Sequence, residues 1–374
     1  MNSPCDRSAR PFGRSRDQYE NQTLQALERT VPVRARYALR RIVSRASRVW
    51  RMAIRDERAP ARGLDDTFEP EFVLQSGALD ARERFDVVVV EYLFSSWALS
   101  AFGPGVPKVV DTHDSLVNRH LLSGATAETV HLTMEEQLRG LRRADVVLAI
   151  QPQECLEFRE VLAGSGVSCR LVSHLLEPAS PLDSYRPVAA TFLGSEYSMN
   201  KESLAWFMRE ICPAVVDRVP RFRLQLIGGI CGAVPDHPLL DKLGKVEDLR
   251  VGFQRGPISV NPTLSGTGIS IKMLDGMALG VPAVTTRTGA RGFDAAYTNG
   301  MVVVEDGDPG AFAQALVALL DSEEKREALG RLAYADACRW RETQEGALED
   351  LLGELARRRK GYSFVAPGER RGRT

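Results

Sequence analysis

The chain has 374 residues, 44% of them hydrophobic, and a formal net charge of zero. That length holds two domains with cores of their own. The charge balance excludes nucleic acid as the main partner, because phosphate backbones demand a basic excess. Six scattered cysteines form no Cys-x-x-Cys pair, so neither a metal cluster nor a redox motif is signalled. They read as reduced, buried thiols of a cytoplasmic protein. No apolar run reaches the roughly 18 residues that span a bilayer, and the polar, Arg-rich start has no signal-peptide core.

Residues 1–17 are rich in Ser, Arg, Pro and Gly and read as a disordered N-terminus. A first domain covers residues 18–180. Within it, Asp17–Arg29 fits a helix, and Arg34–Arg58 is more distinctive. Leu39, Ile42, Val43, Ala46, Val49, Trp50, Ala53 and Ile54 recur at helical spacing, with arginines over most of the other face. Such a basic amphipathic helix either lies on an anionic membrane, peripheral at its inner face, or is a domain helix with solvated arginines. Phe85–Glu91, Lys108–Asp111 and Asp145–Ile150 are apolar runs bounded by charges, as in parallel strands buried on both faces. Helices are expected at Glu128–Arg143 and Gln153–Leu162, and a short strand at Arg170–Ser173.

Pro178–Pro187 reads as the link between domains. In the second domain, residues 188–340, the alternation restarts with strand Ala190–Gly194, helix Lys201–Val219 and strand Phe222–Gly228. Strands Ile258–Asn261 and Met301–Val304 follow, then helices Pro309–Leu320 and Glu323–Cys338. Residues 341–374 form a last helix, Glu342–Lys360, and a basic tail. Strand–helix alternation in both halves implies an α/β fold of two Rossmann-like domains facing a cleft.

The most telling segment runs from Ser265 to Thr286. Ser265–Gly268 form a small-residue loop that permits close backbone approach. The free N–H groups of the helix after it face whatever sits there. Lys272 adds a full positive charge, and Asp275, three residues on, projects from nearly the same face. Gly280 and Pro282 stop the helix, and Val281–Thr285 is a strand candidate.

These motifs resemble the GT-B-fold glycosyltransferases of family four, glycosyl transferases group 1. Phe192-Leu-Gly-Ser195 with Asn200 is similar to the opening of that family's donor domain, and Leu226-Ile-Gly-Gly229 to its second strand and turn. Asn261-Pro262, Gly266-Thr-Gly268, Lys272, Asp275 and Gly280-Val-Pro282 resemble the donor signature. Gly289-Ala-Arg-Gly292 resembles the loop after it. Val109–Asp114 and Ala144–Ala149 resemble acceptor-domain segments, so the likeness covers roughly residues 85–340.

The resemblance implies a retaining transferase that moves a hexose from a nucleoside diphosphate sugar to a glycan, lipid or cell-surface precursor. It implies no bound metal or other cofactor, and no metal-ligand spacing is seen. Lys272 would neutralise the leaving diphosphate, and Asp275 would accept from the ribose hydroxyls. Gly194 and Ser195 would lie near the phosphates, and Gly266, Thr267, Gly268 and Ile269 would complete the donor loop. His113 would face the donor sugar from the acceptor domain; equally, it fits a loop histidine that holds Asp111 or Asp114.

Three departures qualify the resemblance. The family's first donor-loop acid falls on Thr267, which cannot carry charge. A turn, helix and strand are expected between the equivalents of Phe253 and Ile258, where only Gln254–Pro257 stand, although parallel neighbours need a long crossover. The opening strand and glycine loop of the first domain have no counterpart before Phe85, which makes that domain read as incomplete, with Gly13 as a remnant. The alternative reading is therefore a catalytically impaired remnant, or a nucleotide-sugar-binding protein of the same fold. A nicotinamide-dependent oxidoreductase ranks below both, because Gly266-Thr-Gly268 continues to Ile271 where Gly-x-Gly-x-x-Gly requires glycine.

Overall fold

A computed structural model describes residues 63–66, 68–83, 85–117, 132–179 and 189–361. The expectations for residues 1–17, Asp17–Arg29, Arg34–Arg58, most of the link and the tail after residue 361 lie outside the described residues. So do those for Gly13 and for any strand before residue 63.

In the first domain, Pro70 opens helix α1 (Pro70–Arg82), where its missing N–H costs nothing. Strands β1 (Val88–Glu91) and β2 (Lys108–Asp111) follow, then helix α2 (Met134–Leu141) and β3 (Val146–Ala149). Helix α3 (Pro152–Val161) and β4 (Ser168–Leu171) complete the domain. Thr133 and Glu136 close a reciprocal capping box on α2. Among the described residues the sheet has four parallel strands in the order β1-β2-β3-β4. All four residues of β3 are buried, as its unbroken apolar run requires. Val110, Val147, Phe158, Leu93 and Leu99 centre the core. Cys155 and Cys169 lie in it as free thiols.

The second domain begins with β5 (Ala189–Leu193), α4 (Ser198–Trp206), α5 (Cys212–Arg218) and β6 (Arg223–Ile227). The single helix expected over Lys201–Val219 is thus interrupted. A wider π turn, Phe207–Ile211, precedes Pro213, whose ring and missing N–H break the regular ladder. Next come α6 (Ile230–Ala233), β7 (Leu240–Gly244), α7 (Leu249–Phe253) and β8 (Ser259–Asn261). Then follow α8 (Ile271–Ala278), β9 (Ala283–Thr286), β10 (Met301–Val304), α9 (Pro309–Leu320) and α10 (Glu323–Gly361).

All six strands are parallel, in the order β10-β9-β8-β5-β6-β7. The crossover expected to be missing is therefore present. Strand β7 and helix α7 supply it, and β8 returns beside β5, with Thr191 opposite Ser259. Phe253 ends a helix and not a strand. The sequence Leu240-Asp-Lys-Leu-Gly244 hides its strand because it lies at the sheet edge, half-buried throughout, where charges are tolerated.

The chain reverses its direction of growth between β5 and β8. In parallel sheets such a switch point opens a crevice beyond the strands' carboxyl ends. Helix α10 joins the halves. The sequence reads as two helices there, broken after Cys338, yet one helix runs on. Trp340 Nε1 donates to the carbonyl of His174 at 2.9 Å, and Gln344 Oε1 accepts from the Ser173 amide at 2.7 Å. Leu351 and Leu355 bury against Val109, Val146 and Leu148 of the first sheet. Glu354 accepts from Ser168 Oγ and Arg170 Nε, each at 2.7 Å, and from Arg358 Nη2 at 2.9 Å.

Burial alone would raise the Glu354 carboxyl, but these three donors together hold it below its ordinary value. Its contribution is therefore present above the ordinary carboxylate range and is lost as pH falls through the depressed value. Glu354→Ala is expected to lower unfolding free energy by about 1.5–3 kcal/mol, as for hydrogen bonds to a charged group. The difference from wild type should shrink on acidification in chemical denaturation; an unchanged midpoint at pH 7 would show that the carboxylate does not fasten the helix.

Candidate active site

The crevice at the switch point encloses about 570 Å3 and is lined almost wholly by the carboxyl ends of second-domain strands and the segments after them. Its walls include Gly194 and Ser195 after β5, Gly228 and Gly229 after β6, and Lys245 after β7. Thr263 and Ser265 follow β8, and Ser270 to Lys272 with Asp275 come from the start of α8. Gly228 has φ +100°, and a Cβ there would stand 2.4 Å from the carbonyl oxygen of Gly194. Only glycine lets these two turns close together.

Helix α8 opens toward this space. The side chain of Ser270, its N-cap, makes no capping bond and accepts from Asn261 Nδ2 at 3.1 Å. The Met273 amide donates to the Ser270 carbonyl, and those of Ile271 and Lys272 stay available to an anion. Asn261 also donates to the carbonyl of Gly289 at 2.9 Å and accepts from Thr263 Oγ1 at 2.7 Å. This buried network explains why an Asn ends β8: one side chain ties the donor loop to the loop after β9.

Lys272 Nζ donates to Asn200 Oδ1 at 2.8 Å and lies 5.2 Å from the centre of the Phe192 ring. Asn200 in turn donates to the carbonyl and Oγ of Ser195. Burial, and then the neighbouring Arg291, push the Lys272 ammonium down from 10.5 to about 8. Burial likewise raises Asp275 above its ordinary value. Arg291 is a further wall residue; Nε donates to the carbonyl of Thr267 at 3.1 Å and Nη1 to that of Thr288 at 3.0 Å. Its guanidinium fills the space a Cβ on Gly266 would need, at 2.6 Å.

Gly194, Ser195, Ile269, Lys272 and Asp275 are thus brought together around one space. Gly266, Thr267 and Gly268 are not on its wall: the loop turns Thr267 toward the first domain, where its hydroxyl donates to Asp114 Oδ2 at 2.5 Å. His113 also stands off the wall, at the carboxyl end of β2, with its carbonyl oxygen 3.5 Å from the place a Cβ on Gly268 would take. Its ring stacks on Tyr92 at 4.4 Å, its amide donates to Asp111 Oδ1 at 3.3 Å, and Nε2 stands 3.8 Å from Asp111 and 4.0 Å from Glu91. Both His113 and Tyr92 have positive φ, 55° and 64°, a strain of about 1–3 kcal/mol each that clusters at functional sites. Tyr92 and Lys245 were not singled out from the sequence, and Asp114 was named only as a possible partner of His113. Arg291 left a signal as the one charge inside Gly289-Ala-Arg-Gly292.

Residues 188–322 match the family model described as Glycosyl transferases group 1. Over that stretch the second domain is similar to the glycosyl transferases group 1 family. The fold of the described residues is GT-B, and the similar solved structures are glycosyltransferases of that architecture. TarM has a TM-score of 0.60 at 11% identity, over 76% of this chain and 58% of that one. Sucrose-phosphate synthase from Thermosynechococcus elongatus has 0.57 at 18%, over 79% and 78%. Anabaena HepE, in complex with UDP, has 0.54 at 12%, over 75% and 82%; it is also known with UDP-glucose. S. aureus TarM has been seen with fondaparinux, alpha-GlcNAc-glycerol and UDP. The chain therefore spans 58% of the length of TarM. Among curated proteins no relative of this chain is found.

Lys272 sits where its charge is costly to the fold. A folded pKa depressed from 10.5 to about 8 destabilises the protein at neutral pH by about 3 kcal/mol at 1.36 kcal/mol per unit. That penalty is relieved as pH rises from 8 toward 10.5. Lys272→Met is expected to leave thermal stability at pH 7 unchanged or raised. A large fall in melting temperature would mean that the ammonium holds the fold together and is not kept for a ligand.

Proposed function

We propose that the protein is a retaining glycosyltransferase, which moves a hexose from a nucleoside diphosphate sugar to a hydroxyl of a glycan, lipid or cell-surface precursor. The observation that carries this reading is the convergence of a buried ammonium, a guanidinium and an uncapped helix N-terminus on one crevice at the switch point. All three favour a dianionic or trianionic group, and a diphosphate is the group that fits them. GT-B structures whose complexes hold UDP or a UDP-sugar support the same reading.

During transfer the bond between the anomeric carbon and the diphosphate oxygen breaks. The acceptor oxygen bonds that carbon from the face the leaving group vacates, and its hydroxyl proton passes to the departing diphosphate oxygen. Negative charge grows on the diphosphate as it leaves. Lys272, Arg291 and the α8 amides are fixed in place beforehand, so they lower the barrier without reorganising. Asp275 receives the ribose hydroxyls, and Gly194 and Ser195 allow the phosphates close approach. Ile269 shapes the wall beside them. His113, next to the donor loop, faces the sugar from the acceptor side. No metal or other cofactor has a part in this scheme.

A second reading, a nucleotide-sugar-binding protein without turnover, draws on Thr267, which has no charge and gives its hydroxyl to Asp114. Incubation with a panel of nucleotide sugars separates the two. Wild type is expected to release nucleoside diphosphate and Lys272→Ala is not; binding without release by wild type would establish the second reading. Product anomeric configuration, read by NMR, tests retention. Donor affinity should be full below about pH 8 and fall as Lys272 loses its proton above it; a flat profile from pH 7 to 9 would remove the ammonium from the scheme.

The same proposal places the enzyme in the cytoplasm, with residues 34–58 on an anionic membrane surface; no helix among the described residues is long and apolar enough to cross a membrane. Changing Arg40, Arg41, Arg45 and Arg48 together to Gln should weaken binding to phosphatidylglycerol vesicles by about 1 kcal/mol for each arginine. Equal co-sedimentation of variant and wild type would dismiss the membrane role.

A further inference from the structure

The donor loop is held from outside its own domain. Thr267 donates to Asp114 Oδ2 at 2.5 Å, a bond between residues 153 positions apart in the chain. Asp114 belongs to the turn after β2 and is 8% exposed. Its carboxyl lies 3.6 Å from the place a Cβ on Gly268 would take, so Thr267 and Gly268 both rest against it. Its charge also favours the cationic form of Arg291, whose guanidinium is otherwise disfavoured by burial. Arg291 in turn binds the carbonyl of Thr267 and forms part of the crevice wall.

Behind Asp114 stands Glu154, from the first turn of α3, which accepts from the Ser115 amide at 2.9 Å. Burial, with Asp114 adding to it, pushes Glu154 up to about 7. Of these two carboxyls Asp114 is the one that meets the donor loop, at the Thr267 hydroxyl.

We propose that Asp114 is a positioning residue of the donor site. From the first domain it fixes Thr267 and balances Arg291, so that the donor loop takes its working shape only when the two domains lie against each other. This rests on the reading of the crevice as a nucleotide-sugar site. Asp114 need not touch the sugar; it acts through the loop and the guanidinium.

Asp114→Asn, Thr267→Val, the double variant and Thr267→Ser test this in the full chain. Loss of one charge-assisted hydrogen bond should lower donor kcat/KM by about tenfold in either single variant. The double variant should lose no more than a single one, and Thr267→Ser should retain wild-type values. Additive losses, or wild-type kinetics in both single variants, would overturn the proposal while leaving the transferase reading intact. Amide exchange gives a readout independent of turnover. The 264–269 segment should exchange faster in both single variants, with the β6 segment 222–228 unchanged; protection equal to wild type overturns the proposal even if the protein transfers no sugar.

Discussion

A buried ammonium with a neutral partner is the constraint on which the site depends. Lys272 gives its hydrogen bond to the amide of Asn200 and lies by the ring of Phe192. Neither carries an opposing charge, and Arg291 nearby adds a second cation. An evolved fold that needed only packing at this position would use an apolar side chain, because an uncompensated buried charge destabilises. Loss of the proton relieves it at high pH, and an anion entering the crevice would relieve it at neutral pH. Asn200 then has two tasks, since it also holds Ser195 and so sets the opposite lip of the crevice.

The sheet explains why these groups meet. β5, β6 and β8 deliver their carboxyl ends to one edge, and the reversal between β5 and β8 leaves room there. The glycine turn at Gly228 approaches Gly194 closely enough to narrow one side. The buried network of Asn261, Thr263 and Gly289 fixes the other. Local sequence choices and global topology thus converge on the same crevice, as minimal frustration requires. The first domain contributes less to the wall and more to its shape, through Ile150 packed with Ile269 and Leu274 and through Asp114 on Thr267.

Much of this was legible before any coordinates. Buried strands such as Val146–Ala149 announce themselves because both faces are covered and every residue is apolar. Lys272 and Asp275 were legible because a helix start fixes their spacing. β7 was not, since an edge strand shows two charges in five residues and imitates a loop. Its omission made a complete crossover look lost. α10 was split in two because Arg339, Arg341 and Glu342 resemble a solvated break, while the Trp340 that anchors the helix stands alone among them. Tyr92 could not be read at all, because its importance comes from a positive φ; Asp114 was read only as a partner of His113, since its bond to Thr267, 153 positions away, leaves no local signal.

Helix α10 has one more implication. It is rooted in the second domain at its start and clasped by the first from Trp340 to Glu354. The stretch between those two residues rises about 21 Å at 1.5 Å per residue. A tilt of about 10° at Trp340 therefore carries the far end by about 4 Å, a lever arm set by helix pitch alone. Because one helix is held by both domains, turning one domain against the other would carry its clasped end as a unit.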